Sequence, residues 1–227
     1  MCGRFSLGKP KLAKVKALRL KEEELSRLKP RYNIAPSQPV ATIIGTPEPH
    51  IEPMKWGLVP SWAKDIAIGH KMINARSETL QEKPSFRGLL AHHRCLILAD
   101  GFYEWHNEGK VKTPYYIRLK TGEPFTFAGL WSEWNGSDGS ALRTCTIITC
   151  GPNALMERIH HRMPVILDGV PAAAWIDPAL TDKAKLQALL KPFPAAKMEL
   201  YAVSRLVNSP QNDTEEVLKP DPSMNNA

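Results

Sequence analysis

Apolar side chains recur at roughly helical spacing near the start of the chain. Leu12, Val15, Leu18, Leu25 and Leu28 are separated by lysines and by Glu22 to Glu24, and Pro30 closes the run. This pattern predicts an amphipathic helix over residues 9–29. The period then changes. Short apolar, β-type runs follow at 40–44, 95–99, 115–119, 125–130, 144–149 and 163–167. Turn signals punctuate them, among them Thr121-Gly122, Asn135-Gly136 and Asp138-Gly139. Residues 85–93, 153–160 and 181–191 read as short helices. Many short strands with few helices predict an α+β fold: one compact domain on a curved, mostly antiparallel sheet or barrel, with short helices at its periphery. The sequence shows no internal repeat or linker. The chain turns polar from about residue 211, so the domain is placed at 1–220 and a polar tail at 221–227.

Composition narrows this reading only in places. At 227 residues the chain can bury a core without disulfides or a structural metal. Its 30 Lys and Arg against 23 Asp and Glu give a net charge of +7, which suits a polyanionic partner and equally suits plain solubility. Residues 1–20 carry lysines throughout and lack the apolar core of a signal peptide, and no run of about 18 apolar residues exists to cross a membrane. A cytoplasmic, nucleoid-associated protein is expected. Cys95, Cys145 and Cys150 lie in apolar strand-like runs and read as buried thiols in a reducing compartment. Cys145 and Cys150, five apart, face opposite sides of a strand and are not expected to pair. His92, His93 and Cys95 lack the regular spacing of a zinc site, so no metal is expected.

Cys2 stands apart. If Met1 is removed, Cys2 carries a free amine and a thiol on adjacent carbons. The amine can attack an aldehyde to give a Schiff base, and the thiol can then close a five-membered thiazolidine on the same carbon. An internal cysteine cannot do this, because its nitrogen is an amide. A terminal amine with a pKa of about 7.7–8.0 is partly neutral near pH 7 and already nucleophilic. Glu104 sits among Phe102, Tyr103 and Trp105, and a carboxyl in an apolar pocket has a raised pKa suited to moving protons. Asn74 offers an uncharged donor and acceptor. His160 lies at the end of a predicted helix beside Arg162. Arg4, Arg76 and Arg162 are phosphate-binding candidates, because guanidinium groups match phosphate geometry, and Pro36 and Trp62 are candidates to stack on or wedge between bases, with core packing the alternative for each.

These residues belong to an ordered series. It runs through Met1-Cys2-Gly3-Arg4-Phe5, Arg31-Tyr32-Asn33-Ile34-Ala35-Pro36 and Trp56-Gly57-Leu58-Val59-Pro60-Ser61-Trp62. It continues through Ile73-Asn74-Ala75-Arg76-Ser77-Glu78-Thr79 and Ala99-Asp100-Gly101-Phe102-Tyr103-Glu104-Trp105. It ends with Ile159-His160-His161-Arg162-Met163-Pro164 and Val203-Ser204-Arg205. The series resembles the SRAP (SOS response-associated peptidase) family over residues 2 to about 220. The resemblance implies a protein that binds single-stranded DNA containing abasic sites and crosslinks to the abasic aldehyde through Cys2, protecting the site in the DNA damage response. It assigns acid–base work to Glu104, orientation of amine and sugar to Asn74, and ring opening and crosslink reversal to His160. AP-lyase-type and autopeptidase activities are implied as well, in a monomer without cofactor. Two positions depart from the bacterial family pattern. His161 replaces an Asp, and Trp62-Ala63-Lys64-Asp65 replaces Trp-Trp-Asp, with loss of one stacking aromatic. Two other readings stay open. Cys2, His160 and Glu104 could form a cysteine peptidase, and charge with aromatics could serve a noncovalent single-strand binder.

Overall fold

The most apolar runs of the sequence close on one another. A computed structural model describes residues 2–9, 18, 20–109 and 111–222. The strands in chain order are β1 (Phe5–Leu7), β2 (Arg31–Ile34), β3 (Pro39–Ile44), β4 (His50–Trp56), β5 (Asn74–Arg76), β6 (Arg94–Ala99), β7 (Gly101–Glu108), β8 (Val111–Leu119), β9 (Phe125–Asn135), β10 (Ala141–Cys150), β11 (Met163–Pro164), β12 (Ile166–Leu167) and β13 (Met198–Ala202). The α-helices are α1 (Glu22–Ser26), α2 (Val170–Ile176) and α3 (Lys183–Leu189). Strands β10, β4, β3, β6 and β9 pair in that order, and β9 pairs back onto β10, which closes a barrel. Its pairings are antiparallel except for β10 with β4. Strand β5 pairs parallel to β10 at Ile147 to Thr149, just beyond the Thr144 and Cys145 pairing with β4. A second, antiparallel sheet has the order β13-β8-β7-β1-β2. The expected curved, mostly antiparallel sheet or barrel with short peripheral helices is therefore what forms.

The two sheets meet through aromatic side chains. Phe5 of β1 packs edge-on against Trp56 and Phe127 at centroid distances of 5.2 and 5.7 Å, and Phe102 of β7 meets Phe127 at 6.0 Å. All four rings are fully buried. Burial of such rings contributes several kcal/mol and fixes β1 and β7 against the barrel. Strand β6 is buried along its whole length, because α2 covers its outer face and Trp175 Nε1 donates to the Cys95 carbonyl at 3.0 Å. Gly101 opens β7 where no side chain fits, since a Cβ there would stand 2.1 Å from the Tyr116 ring. The Tyr116 hydroxyl and Asp100 share Ser6, whose Oγ lies 2.8 Å from the hydroxyl and 2.6 Å from the carboxylate. This buried network pins the end of β1.

Several local expectations change. The helix expected at 9–29 falls partly on residues 10–17 and 19, outside the described residues, and among the described ones its α-helical part is only α1. Residues 85–93 form successive turns, such as Phe86 N–H to the Lys83 carbonyl (2.9 Å) and Leu89 N–H to the Phe86 carbonyl (2.9 Å), not an α-helix. Pro84 and Gly88 explain this, the first by lacking an N–H and the second by its low helix propensity. The helix expected at 153–160 shortens to one 3₁₀ turn, Met156–Arg158. The run at 163–167 splits at Val165, whose N–H donates to Ile148 of β10 while its carbonyl accepts from Ala128 of β9. The helix at 181–191 forms as α3, with Asp182 capping Ala184 and Lys185 N–H groups. Asp221 N–H still donates to Ala202 at 2.9 Å, and residues 223–227 lie outside the described set.

Candidate active site

The first residues of the chain run antiparallel to β7. Phe5 pairs with Phe102 and Ser6 with Gly101, and Tyr103 N–H donates to the Arg4 carbonyl at 2.9 Å. Glu104 follows Tyr103 on β7, and its charge acts on the Cys2 thiol. Cys2 is completely buried, and Glu104 is only 3% exposed. Burial, with the Glu104 charge second, drives the Cys2 thiol far above its ordinary range, so it is protonated at neutral pH. Burial also raises the Glu104 carboxyl to about 7, so near neutrality it both holds and releases a proton. A surface glutamate on an exposed strand would not do this. The difference comes from Phe102 and Tyr103, which anchor the strand in the core.

Asn74 approaches from the opposite sheet. It opens β5, pairing with Ile147 of the barrel strand β10, and its Nδ2 donates to the Cys2 carbonyl at 2.9 Å. Its Oδ1 is buried and has no hydrogen-bond partner among the described residues. A buried amide oxygen without a donor is costly, and it marks where an incoming N–H or O–H would be welcomed. His160 follows the 3₁₀ turn and is half-buried. Burial lowers its pKa, with the charges of His161 and Arg162 acting in the same direction, so the ring is neutral at pH 7. His161 stacks on it at 4.5 Å with 21° between the planes.

The candidate DNA contacts divide into two kinds. Trp62 is 60% exposed although its neighbours are held: Ala63 is buried and its carbonyl accepts from Trp134 Nε1 at 2.7 Å. A rigidly mounted, exposed indole is suited to stacking. Pro36 lies in the turn after β2, where Ser37 takes a φ of 69° and its Oγ sits 3.1 Å from His70 Nδ1. Arg76 is exposed at the end of β5 and has no ion pair among the described residues. Arg4 and Arg162 are engaged internally. Arg4 Nη1 donates to Asn33 Oδ1 (2.8 Å) and the Val207 carbonyl (2.9 Å), and its guanidinium lies 5.8 Å from the Trp105 ring centre. Arg162 forms a bidentate pair with Glu78 at 2.8 and 2.9 Å and also donates to the Thr149 carbonyl at 2.7 Å. Sequence spacing assigns no role to Glu78, although it lies in the Ser77-Glu78-Thr79 run after Asn74. It stands 84 positions from its partner, a separation that local spacing cannot bridge.

Two clefts of about 450 and 480 Å³ lie elsewhere, against α1 and against Asp100 and Tyr116, and neither is lined by Cys2, Asn74, Glu104 or His160. A polymeric substrate lies across a surface and does not need a deep cavity. No group of three His, Cys, Asp or Glu side chains is arranged to hold a metal among the described residues. His93 instead packs its ring 4.6 Å from that of Trp131. No helix of the described residues is long and apolar enough to cross a membrane.

The family model for SOS response associated peptidase (SRAP) matches residues 1–210. The abasic site processing protein YoqW of Bacillus subtilis (strain 168) is 53% identical over 192 residues, covering 84% of this chain and 86% of that protein. The abasic site processing protein HMCES of Gallus gallus is 34% identical over 263 residues, covering 97% of this chain and 78% of its own length. A crystal structure of a Bacteroides thetaiotaomicron protein superposes with a TM-score of 0.83 at 30% identity, covering 97% of this chain and all of the other.

Proposed function

The chain belongs to the SOS response associated peptidase (SRAP) family, and on that footing we propose that it processes abasic sites in single-stranded DNA by capturing their aldehyde on Cys2. The observation that carries the reading is the convergence on Cys2 of a carboxyl with a pKa near 7 and of the Asn74 amide. Relatives named abasic site processing proteins support it. Loss of Met1 frees the Cys2 amine. The amine attacks the aldehyde carbon of the ring-opened sugar, and the carbinolamine loses one water to give a Schiff base. The thiol then adds to the same carbon and its proton passes to nitrogen, closing the thiazolidine. The net change is one C–N bond and one C–S bond formed, with one water released.

The order of these steps follows from the two nucleophiles. A thiol held neutral by burial is a poor first attacker, whereas a terminal amine is partly neutral near pH 7. Ionised Glu104 takes the proton that the attacking amine sheds and, once protonated, returns it to the departing hydroxyl. Asn74 holds the Cys2 main chain and offers Oδ1 to the amine. His160 assists opening of the sugar ring and reversal. Arg76, Trp62 and Pro36 bind phosphate and bases along the strand, with Arg4 and Arg162 at the edges of the site, in a monomer that uses no cofactor. The raised Cys2 thiol also argues against a cysteine peptidase, which needs a thiolate.

Cys2→Ser tests the reading. It keeps a terminal amine and loses the sulfur. The expected result is no heat-stable crosslink to abasic single-stranded DNA, with a borohydride-trappable Schiff base surviving. Heat-stable crosslinks at wild-type yield without reductant would refute the thiazolidine and turn attention to a lysine.

A further inference from the structure

His160 Nδ1 faces the main chain of Arg162 on two sides. The Arg162 N–H lies 3.0 Å from Nδ1, and the Arg162 carbonyl lies 3.1 Å from the same atom. An imidazole nitrogen cannot donate and accept at once, so the two contacts serve two states of the ring. With a bare Nδ1 the ring accepts from the N–H and keeps its proton on Nε2. With a protonated Nδ1 it donates to the carbonyl, and Nε2 is either a base or, in the imidazolium, an acid. A ring so held can give up or take a proton at Nε2 while Nδ1 always has a partner.

This arrangement depends on the Arg162 main chain staying in place, and the Arg162 side chain supplies the anchor. Both Nη atoms meet the Glu78 carboxylate, and one also reaches the Thr149 carbonyl on the barrel strand β10. Arg162 Nε is buried with no partner among the described residues. The guanidinium is 12% exposed and its fork is filled, so a phosphate would have to displace Glu78 to use it. We propose that Glu78 is a positioning residue for His160: through its bidentate pair with Arg162 it holds the 160–162 loop against the barrel and lets the imidazole exchange protons at Nε2. Glu78 is the more exposed member of the pair, 52% against 12% for Arg162.

The proposal rests on the abasic-site reading for its kinetic test but not for its spectroscopic one. Full-length protein with Met1 removed, as wild type, Glu78→Gln and Glu78→Asp, is followed in single-turnover crosslinking to an abasic oligonucleotide. Binding to the intact oligonucleotide and the ¹⁵N chemical shifts of the histidine ring nitrogens are measured on the same samples. Partners that orient metal-bound histidines are worth about 10–100-fold when lost, and an effect of the same order is expected for an imidazole held through one intermediary. Glu78→Gln should therefore slow crosslinking or its reversal by roughly tenfold, leave binding of the intact strand within about twofold, and move the His160 ring-nitrogen shifts away from their wild-type values as the two Arg162 main-chain contacts loosen. Glu78→Asp should recover part of the rate. If wild-type protein forms no crosslink, the abasic-site reading fails while the histidine shifts still decide this inference. Unchanged rate, pH profile and ring shifts in a folded Glu78→Gln protein would overturn it. Tighter binding of the intact strand with a steeper salt dependence would overturn it too, because Glu78 would then be competing with phosphate for Arg162.

Discussion

Replacing Glu104 with Gln should slow aldehyde capture and stabilise the folded chain at once. Burial raises the Glu104 carboxyl from 4.5 to about 7. Each tenfold change in an ionisation constant corresponds to about 1.4 kcal/mol, so holding the ionised carboxylate costs the folded state about 3 kcal/mol more than the unfolded chain. Below about pH 4.5 the group is neutral in both states and nothing is lost. As the pH rises the unfolded chain releases its proton first, and the fold weakens until the pH passes about 7, above which the penalty is constant. Gln has nearly the shape of the neutral carboxyl and never ionises. Its variant should match the wild type near pH 4 and exceed it by about 3 kcal/mol at pH 8 in denaturant titrations. The same variant loses the proton carrier, so crosslinking should slow about 100-fold or more, and the inflection near pH 7 should vanish from its rate profile. A Gln variant that crosslinks at the wild-type rate with the same profile would remove Glu104 from the chemistry. A variant no more stable than wild type at pH 8 would show that the carboxylate is fully compensated where it sits, and that burial does not set its pKa.

Three further outcomes follow from the same geometry. Asn74→Ala removes the donor to the Cys2 carbonyl and the buried Oδ1. Crosslinking should fall by about 10-fold or more while affinity for intact single strands stays within about twofold, as read by single-turnover gels and fluorescence anisotropy. Trp62→Ala truncates a side chain that is 60% exposed, so melting should hardly change while single-strand affinity weakens by about 1–3 kcal/mol; unchanged affinity would leave Trp62 without a stacking role. Arg76→Ala should reduce the log–log salt slope of binding by about 0.7, the value for one phosphate contact on a single strand.

What the sequence made legible, and what it hid, has physical causes. Strands 95–99, 125–130 and 144–149 are readable because they are buried on both faces inside the barrel and so carry continuous apolar runs. Strand β7 is not, because its second half, Trp105 to Glu108, is polar and partly exposed while Glu104 is a charge in a buried position. Its pairing with β1 is a tertiary fact that local propensity does not carry. Strand β5 is three residues long and exists because β10 offers it an edge. Cys2, Asn74, Glu104 and His160 stand out in the sequence through their ordered motifs, but that Asn74 donates to the Cys2 carbonyl from a different sheet is a tertiary fact. The occupation of Arg162 by Glu78 was not legible, and it changes the part that arginine can play.

The central claim is that the amine and the thiol of Cys2 both bond to the abasic aldehyde carbon. Intact mass spectrometry of the protein mixed with abasic single-stranded DNA, followed by nuclease and protease digestion and fragmentation, tests it most directly. The predicted product is protein without Met1 plus DNA, less one water, stable without reductant, with the adduct on the N-terminal Cys2 peptide and no thiol left to alkylate. A crosslinked species that retains Met1, or one whose Cys2 thiol still alkylates, would contradict the account.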